Sequence, residues 1–228
     1  MSDDLATTRI EDALFDLLAT TDFGNIRLGD LAAKADVSLA DLRRAYESPL
    51  DVLSGFARRI DVAVLEGIDP AMAGEPVKDR LFDAAMRRFD LLAPHRAGLA
   101  GLERSARRDP RLALHLARMV VGSQAWLLEA SGVSAAGPRG RAKAVAMAAA
   151  LARVVPVFLA EAEPGLPKTM AALDGALDRL GRVAERVGKA ERAATWMVER
   201  CRSIRRGTRP AAEAPAAEPP AEPIDPSI

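Results

Sequence analysis

Residues 26–46 read IRLGDLAAKADVSLADLRRAY, two short amphipathic stretches on either side of a polar break. Leu28, Leu31, Ala32 and Ala35 recur at 0, +3, +4 and +7, the apolar stripe of a helix about two turns long. Asp36-Val37-Ser38 interrupts it. Ser38 is the expected N-cap of a second helix, because its hydroxyl can accept from an otherwise unpaired backbone N–H. Asp41, three residues on, completes a capping-box-like start. Leu39, Leu42 and Tyr46 carry the second stripe, and Leu31 and Val37 are expected to hold the two helices together. Asp41, Arg43 and Arg44 then fall on the outer side. The pattern is a helix-turn-helix, the arrangement in which a second helix enters a DNA major groove. Ordinary helical packing produces the same pattern, so the flanks decide its meaning.

A longer amphipathic stretch precedes the unit, with Ile10, Ala13, Leu14, Leu17 and Leu18 on one face. Ser48-Pro49-Leu50-Asp51 follows it: Ser as N-cap, Pro at N1 and Asp at N3 of a fourth helix. Over about Ile10–Ala63 the chain resembles the TetR family of bacterial repressors. The residues that carry the likeness are Phe23, Leu31-Ala32, Ala35-x-Val37-Ser38, Leu42, Arg44, Tyr46 and Ser48. Four positions depart from the family's pattern. Asp36 replaces the turn Gly, and Asp tolerates positive φ. Arg43 replaces a phosphate-contacting Tyr. Pro49 and Leu50 replace the Lys and Glu that open the fourth helix, removing a cation and a backbone N–H from a DNA-facing place.

Composition excludes several classes. The chain has 228 residues, 49% hydrophobic and 28% charged, with 32 basic and 32 acidic side chains, so overall charge selects no partner. Ala and Leu dominate, which points to an all-α fold. No apolar run is expected to be long enough to cross a bilayer, and MSDDLATTR lacks a secretory design. The single Cys201 forms no internal disulfide, and the reading is a soluble cytoplasmic protein. The first 48 residues carry ten acidic and five basic side chains, a net of −5. DNA-binding units are usually basic; within 25–48 the count is four against four.

The spacing then predicts helices over about Pro49–Glu66, Val77–Leu92, a shorter one reaching Arg108, one from Pro110 to near Ser131, and Arg139–Ala160. Pro156 is expected to kink or break the last of these. A final pattern carries Leu173, Ala176, Leu177, Leu180 and Val187. The expected organisation is a helix-turn-helix head (1–48), a helical body for ligand binding and dimerisation (49–187), a basic helical extension (188–206) and a disordered Pro/Ala/Glu tail (207–228). From Arg182 to Arg206 eight basic residues stand against three acidic ones, a solvated helix end or an auxiliary contact to an acidic surface.

No catalytic constellation, metal-ligand spacing or cofactor motif is apparent, so an enzyme is not expected. His95 and His115 fall in different helices and are given surface or capping roles. The resemblance implies an apolar ligand cavity between the fifth and seventh helices, lined by Met86, Phe89, Leu116, Met119 and Trp126; the same residues would serve as ordinary core. It also implies a homodimer through the last two long helices, with Ala148, Ala149, Leu151, Val155, Leu173, Leu177 and Leu180 at the interface. On this reading Arg27, Lys34, Arg43, Arg44 and Tyr46 contact phosphates of a double-stranded operator. Leu39, Ala40 and Arg43 lie nearest base edges, and Ser38 completes the DNA-facing set. The function so implied is a dimeric repressor sensing a small apolar ligand. The alternative is a TetR-like fold that has lost DNA binding and holds a lipid or isoprenoid, like accessory proteins of ubiquinone biosynthesis. A third is an interaction module using the basic end and the tail.

Overall fold

The computed structural model describes residues 2–186, which are all helix, turn or loop. The helices are α1 (Ser2–Leu18), α2 (Leu28–Lys34), α3 (Leu39–Ala45), α4 (Pro49–Glu66), α5 (Val77–Leu92), α6 (Arg96–Arg108), α7 (Pro110–Ala130), α8 (Gly137–Leu151) and α9 (Val155–Ala160). A further helix, α10, begins at 167. One compact unit reaches Val183, so the 48/49 division lies inside it. The extension at 188–206, the tail, Val187 and Cys201 lie outside the described residues.

The turn between α2 and α3 closes as its sequence requires. Asp36 sits at φ 53°, the left-handed position usually given to glycine. Val37 N–H then donates to Ala32 O at 3.0 Å and Ala35 N–H to Leu31 O at 2.9 Å, which satisfies the last carbonyls of α2. Ser38 caps α3 by accepting from Asp41 N–H at 3.0 Å. Ser48 caps α4 by accepting from Asp51 N–H, while Asp51 Oδ2 accepts from Glu47 N–H at 3.1 Å. Pro49 occupies the first turn of α4, where its missing N–H costs nothing.

The core runs from Ile10, Leu14 and Leu18 of α1 through Leu31, Leu42, Leu53 and Phe56 to Phe89, Met147, Phe158 and Leu173. Two glycines that the sequence left unremarked set its tightest contact. At Gly98 a Cβ would stand 2.3 Å from Phe15 O, and at Gly101 1.8 Å from Leu18 O. Helix α6 therefore lies backbone against backbone on α1.

The stretch expected as one helix to Ala160 is two. Residues 152–154 form a turn between α8 and α9. Pro156 cannot donate to Ala152 O, and its ring crowds that carbonyl, so the helix stops there. The expectation about membrane length is also corrected: Gly137–Ala160 is long and apolar enough to cross a bilayer by length and composition. Here the turn divides it, and Ala144, Met147, Leu151, Val154 and Phe158 are buried against the body. Glu161 then caps α10, its carboxylate accepting from Lys168 N–H at 2.7 Å and from Thr169 N–H at 2.8 Å and Oγ1–H at 2.6 Å. Burial opposes the charge, but these donors hold the carboxyl below its ordinary range. Lys78 of α5 bridges Asp174 and Asp178 of α10 at 2.6 Å each.

Candidate nucleic-acid interface and ligand cavity

The outer side of α3 is open. Ser38, Leu39, Ala40, Arg43 and Arg44 are exposed, as are Arg27 and Lys34. Leu39, at the first position of α3, is 59% exposed, an apolar side chain held in solvent by a capped helix start. Most cations of this surface are already matched. Lys34 pairs with Asp16 at 3.2 Å, Arg43 with Glu47 at 4.0 Å, and Arg44 with Asp41. The hydrogen bond from Ser38, and then the Arg44 guanidinium, hold the Asp41 carboxyl below its usual range. Among the described residues Arg27 makes no ion pair.

Tyr46 makes a contact inside the head. Its hydroxyl donates to Glu11 Oε1 at 2.7 Å, and Glu11 is 4% exposed. Burial, then the Glu11 carboxylate, push the phenol well above its ordinary pKa. Gly55 makes room for the ring: a Cβ there would stand 2.8 Å from Tyr46 Cε1. Tyr46 is thus half-buried, with its hydroxyl turned inward to Glu11. Arg59 of α4 completes the network, donating to Glu11 Oε2 at 2.5 Å and Asp12 Oδ1 at 2.6 Å.

His95 is not a surface residue either. It packs edge-on against Phe56 with ring centroids 4.9 Å apart, and stands 5.5 Å from Phe15 and 3.8 Å from Asp12. Burial lowers its pKa despite the nearby Asp12 carboxylate. His115 Nε2 lies 3.3 Å from Ser54 Oγ, a contact between α7 and α4. Among the described residues no cluster of His, Cys, Asp or Glu could hold a metal ion.

The body carries a cavity of about 420 Å³, lined by residues of α4 to α9 and by Phe15 of α1. Phe89, Leu116 and Met119 line it as expected. Met86 does not: it packs against the core. Trp126 does not either, being 61% exposed. The sequence reading missed the polar members Arg88, Glu103, Ser123 and Gln124. Their signal was Ser123-Gln124 interrupting an otherwise apolar stretch of α7. A second cleft, of about 610 Å³, lies on the head beside Arg9, Asp36, Ser38 and Arg44.

The expected interface set also divides. Leu151, Leu173 and Leu177 are buried within this chain, because the single unit is thick enough to cover them. Ala148 and Val155 line the cavity. Leu180 is half-buried and Ala149 exposed. The open stripe of α8 runs instead through Ala142, Val145 and Ala149.

No protein-family model matches the sequence, and no curated protein matches it. Solved structures do match. A protein assigned to the TetR-family transcriptional regulators, from Rhodococcus sp., superposes with a TM-score of 0.52 at 19% identity, covering 77% of this chain and 98% of that one. A TetR transcriptional regulator from Rhodococcus sp. RHA1 gives a TM-score of 0.49 at 16% identity, covering 77% and 94%. With its capped helix-turn-helix ahead of an all-α body, the chain has the fold of the TetR-family transcriptional regulators.

Proposed function

We propose that the chain is a cytoplasmic, homodimeric transcriptional repressor whose α3 reads a double-stranded operator and whose cavity takes a small ligand. The observation that carries this reading is the exposed face of α3, with Leu39, Ala40, Arg43 and Arg44 presented by a turn capped at both ends. An exposed leucine beside two arginines suits a groove that offers thymine methyls next to phosphates. The α8 stripe of Ala142, Val145 and Ala149 is the proposed contact with a second copy, an isologous pairing that would set two heads side by side.

A second reading keeps the fold and the cavity without DNA. It is favoured by the pairing of Lys34, Arg43 and Arg44 with carboxylates, since phosphates would have to displace them. Selection from randomised DNA duplexes separates the two. Enrichment of two related half-sites about one helical turn apart is the expected result. No enrichment at low salt would leave the second reading.

A further inference from the structure

Of the polar groups around the cavity, one side chain is both deeply buried and unmatched. Gln124 of α7 is 2% exposed and lines the cavity, and its Oε1 has no hydrogen-bond partner. Buried amide oxygens are rarely left so, because the desolvation loss goes unrecovered. The charged groups that line the cavity do not supply the partner. Arg88 donates to Asp61 and to Ser123, and Ser123 Oγ donates to Asp61 Oδ1 at 2.5 Å. Glu103 is paired with Arg107 at 2.7 Å. The cationic and anionic charges of the wall are thus matched within the protein. What stays open is a neutral carboxamide and the Nε–H of Arg88, also without a partner.

Resting on the reading of this cavity as the ligand site, we propose that its occupant is a neutral amphipath. It would have an apolar body among Phe89, Leu116, Met119 and Phe158 and a hydroxyl or amide group paired with Gln124. A hydroxyl or amide both donates and accepts, so it can meet the carboxamide in either orientation and accept from Arg88 Nε–H. A carboxylate offers no donor and would bring a charge for which the wall has no free counter-charge. A hydrocarbon would leave Gln124 unmatched. The volume, about 420 Å³, falls in the ~300–1,000 Å³ range of small-molecule sites.

The test uses the full chain with the neutral fluorophore N-phenyl-1-naphthylamine as reporter, displaced by octan-1-ol, octanamide, octanoate or 1-fluorooctane at pH 8. Wild type should bind octanamide at least about tenfold more tightly than octanoate. Gln124→Leu, close to isosteric, should weaken octan-1-ol and octanamide roughly tenfold while leaving 1-fluorooctane unchanged or tighter. Its thermal midpoint should not fall, since an unmatched amide has been removed; Gln124→Met repeats the test should Leu fail to fold. Ala148→Phe, in the cavity wall, should weaken all four alike and so place the binding. Equal changes for all four probes on Gln124→Leu, or none, would overturn the proposal while leaving the cavity a ligand site. If neither the fluorophore nor any probe binds wild type, the cavity is not a ligand site and both readings fall.

Discussion

Tyr46, at the end of α3, donates its hydroxyl to Glu11 of α1 across 2.7 Å, and Arg59 of α4 holds the other oxygen of the same carboxylate at 2.5 Å. One nearly buried carboxylate of α1 therefore ties the end of α3 to α4. Tyr46→Phe would leave Glu11 Oε1 without that donor. The expected cost is ~1–3 kcal/mol, read as a lower midpoint in chemical denaturation. Its effect on the salt dependence of DNA binding should be nil, because the hydroxyl faces inward. A flatter dependence in Tyr46→Phe would restore the tyrosine as a phosphate contact.

His95 should make stability sensitive to mild acid. Its folded pKa is lowered, chiefly by burial, with Asp12, Asp16 and Glu11 opposing and Arg59 assisting. The unfolded chain, titrating near ~6.5, then takes up the proton first. Stability is full above that pH and declines as pH falls through it toward the folded value. His95→Phe, which suits the ring cluster with Phe15 and Phe56, should flatten the profile between about pH 7 and 5.5. Urea midpoints across that window check it; parallel profiles for both proteins would count against the assignment.

Gly101→Ala should be strongly damaging, since its Cβ would meet Leu18 O at 1.8 Å, the closest such approach among the described glycines. Overpacking of this kind costs ~1–3 kcal/mol or more, a midpoint lower by about 2–4 °C per kcal/mol for a unit of this size. Gly24→Ala, where no atom lies within 4 Å, is the control, and differential scanning calorimetry compares the two.

Ala149→Arg should give monomers in sedimentation velocity with the helical circular dichroism of wild type. Ala149 is exposed on the α8 stripe, so the substitution alters a surface and not the core. Leu151→Arg should instead unfold the chain, because Leu151 is buried within it. A dimer that survives Ala149→Arg would place the interface elsewhere.

Much of this architecture was legible because local chemistry fixed it. Ser38 and Ser48 cap helices where the sequence reading started them, and Pro156 ended one. The capped starts at Pro49 and Pro110 and the termination near Ser131-Gly132 needed no tertiary information. Less legible was which apolar side chains meet one another. Trp126 and Leu116 both sit on α7 at helical spacing, yet one faces solvent and the other the cavity, and that depends on where α8 lies. Leu173 and Leu177 carry the stripe expected of an interface, but α10 spends it inside its own unit. Tyr46 turned inward because Gly55 and Glu11, remote in sequence, make room and a partner for it. Gln124 was hidden by the same limit: its polarity was visible, its lack of a partner was not.

The central claim, that α3 meets DNA, is tested most directly by the salt dependence of binding by wild type and the Arg43→Ala, Arg44→Ala double variant. Both arginines are exposed on α3, at 70% and 73% of the side chain. If each neutralises a phosphate, removing both should weaken binding to the DNA beside the chain's own gene. It should also flatten the slope of log affinity against log salt by up to ~1.8. Fluorescence anisotropy at several salt concentrations measures both quantities. A double variant with the affinity and slope of wild type would contradict the account.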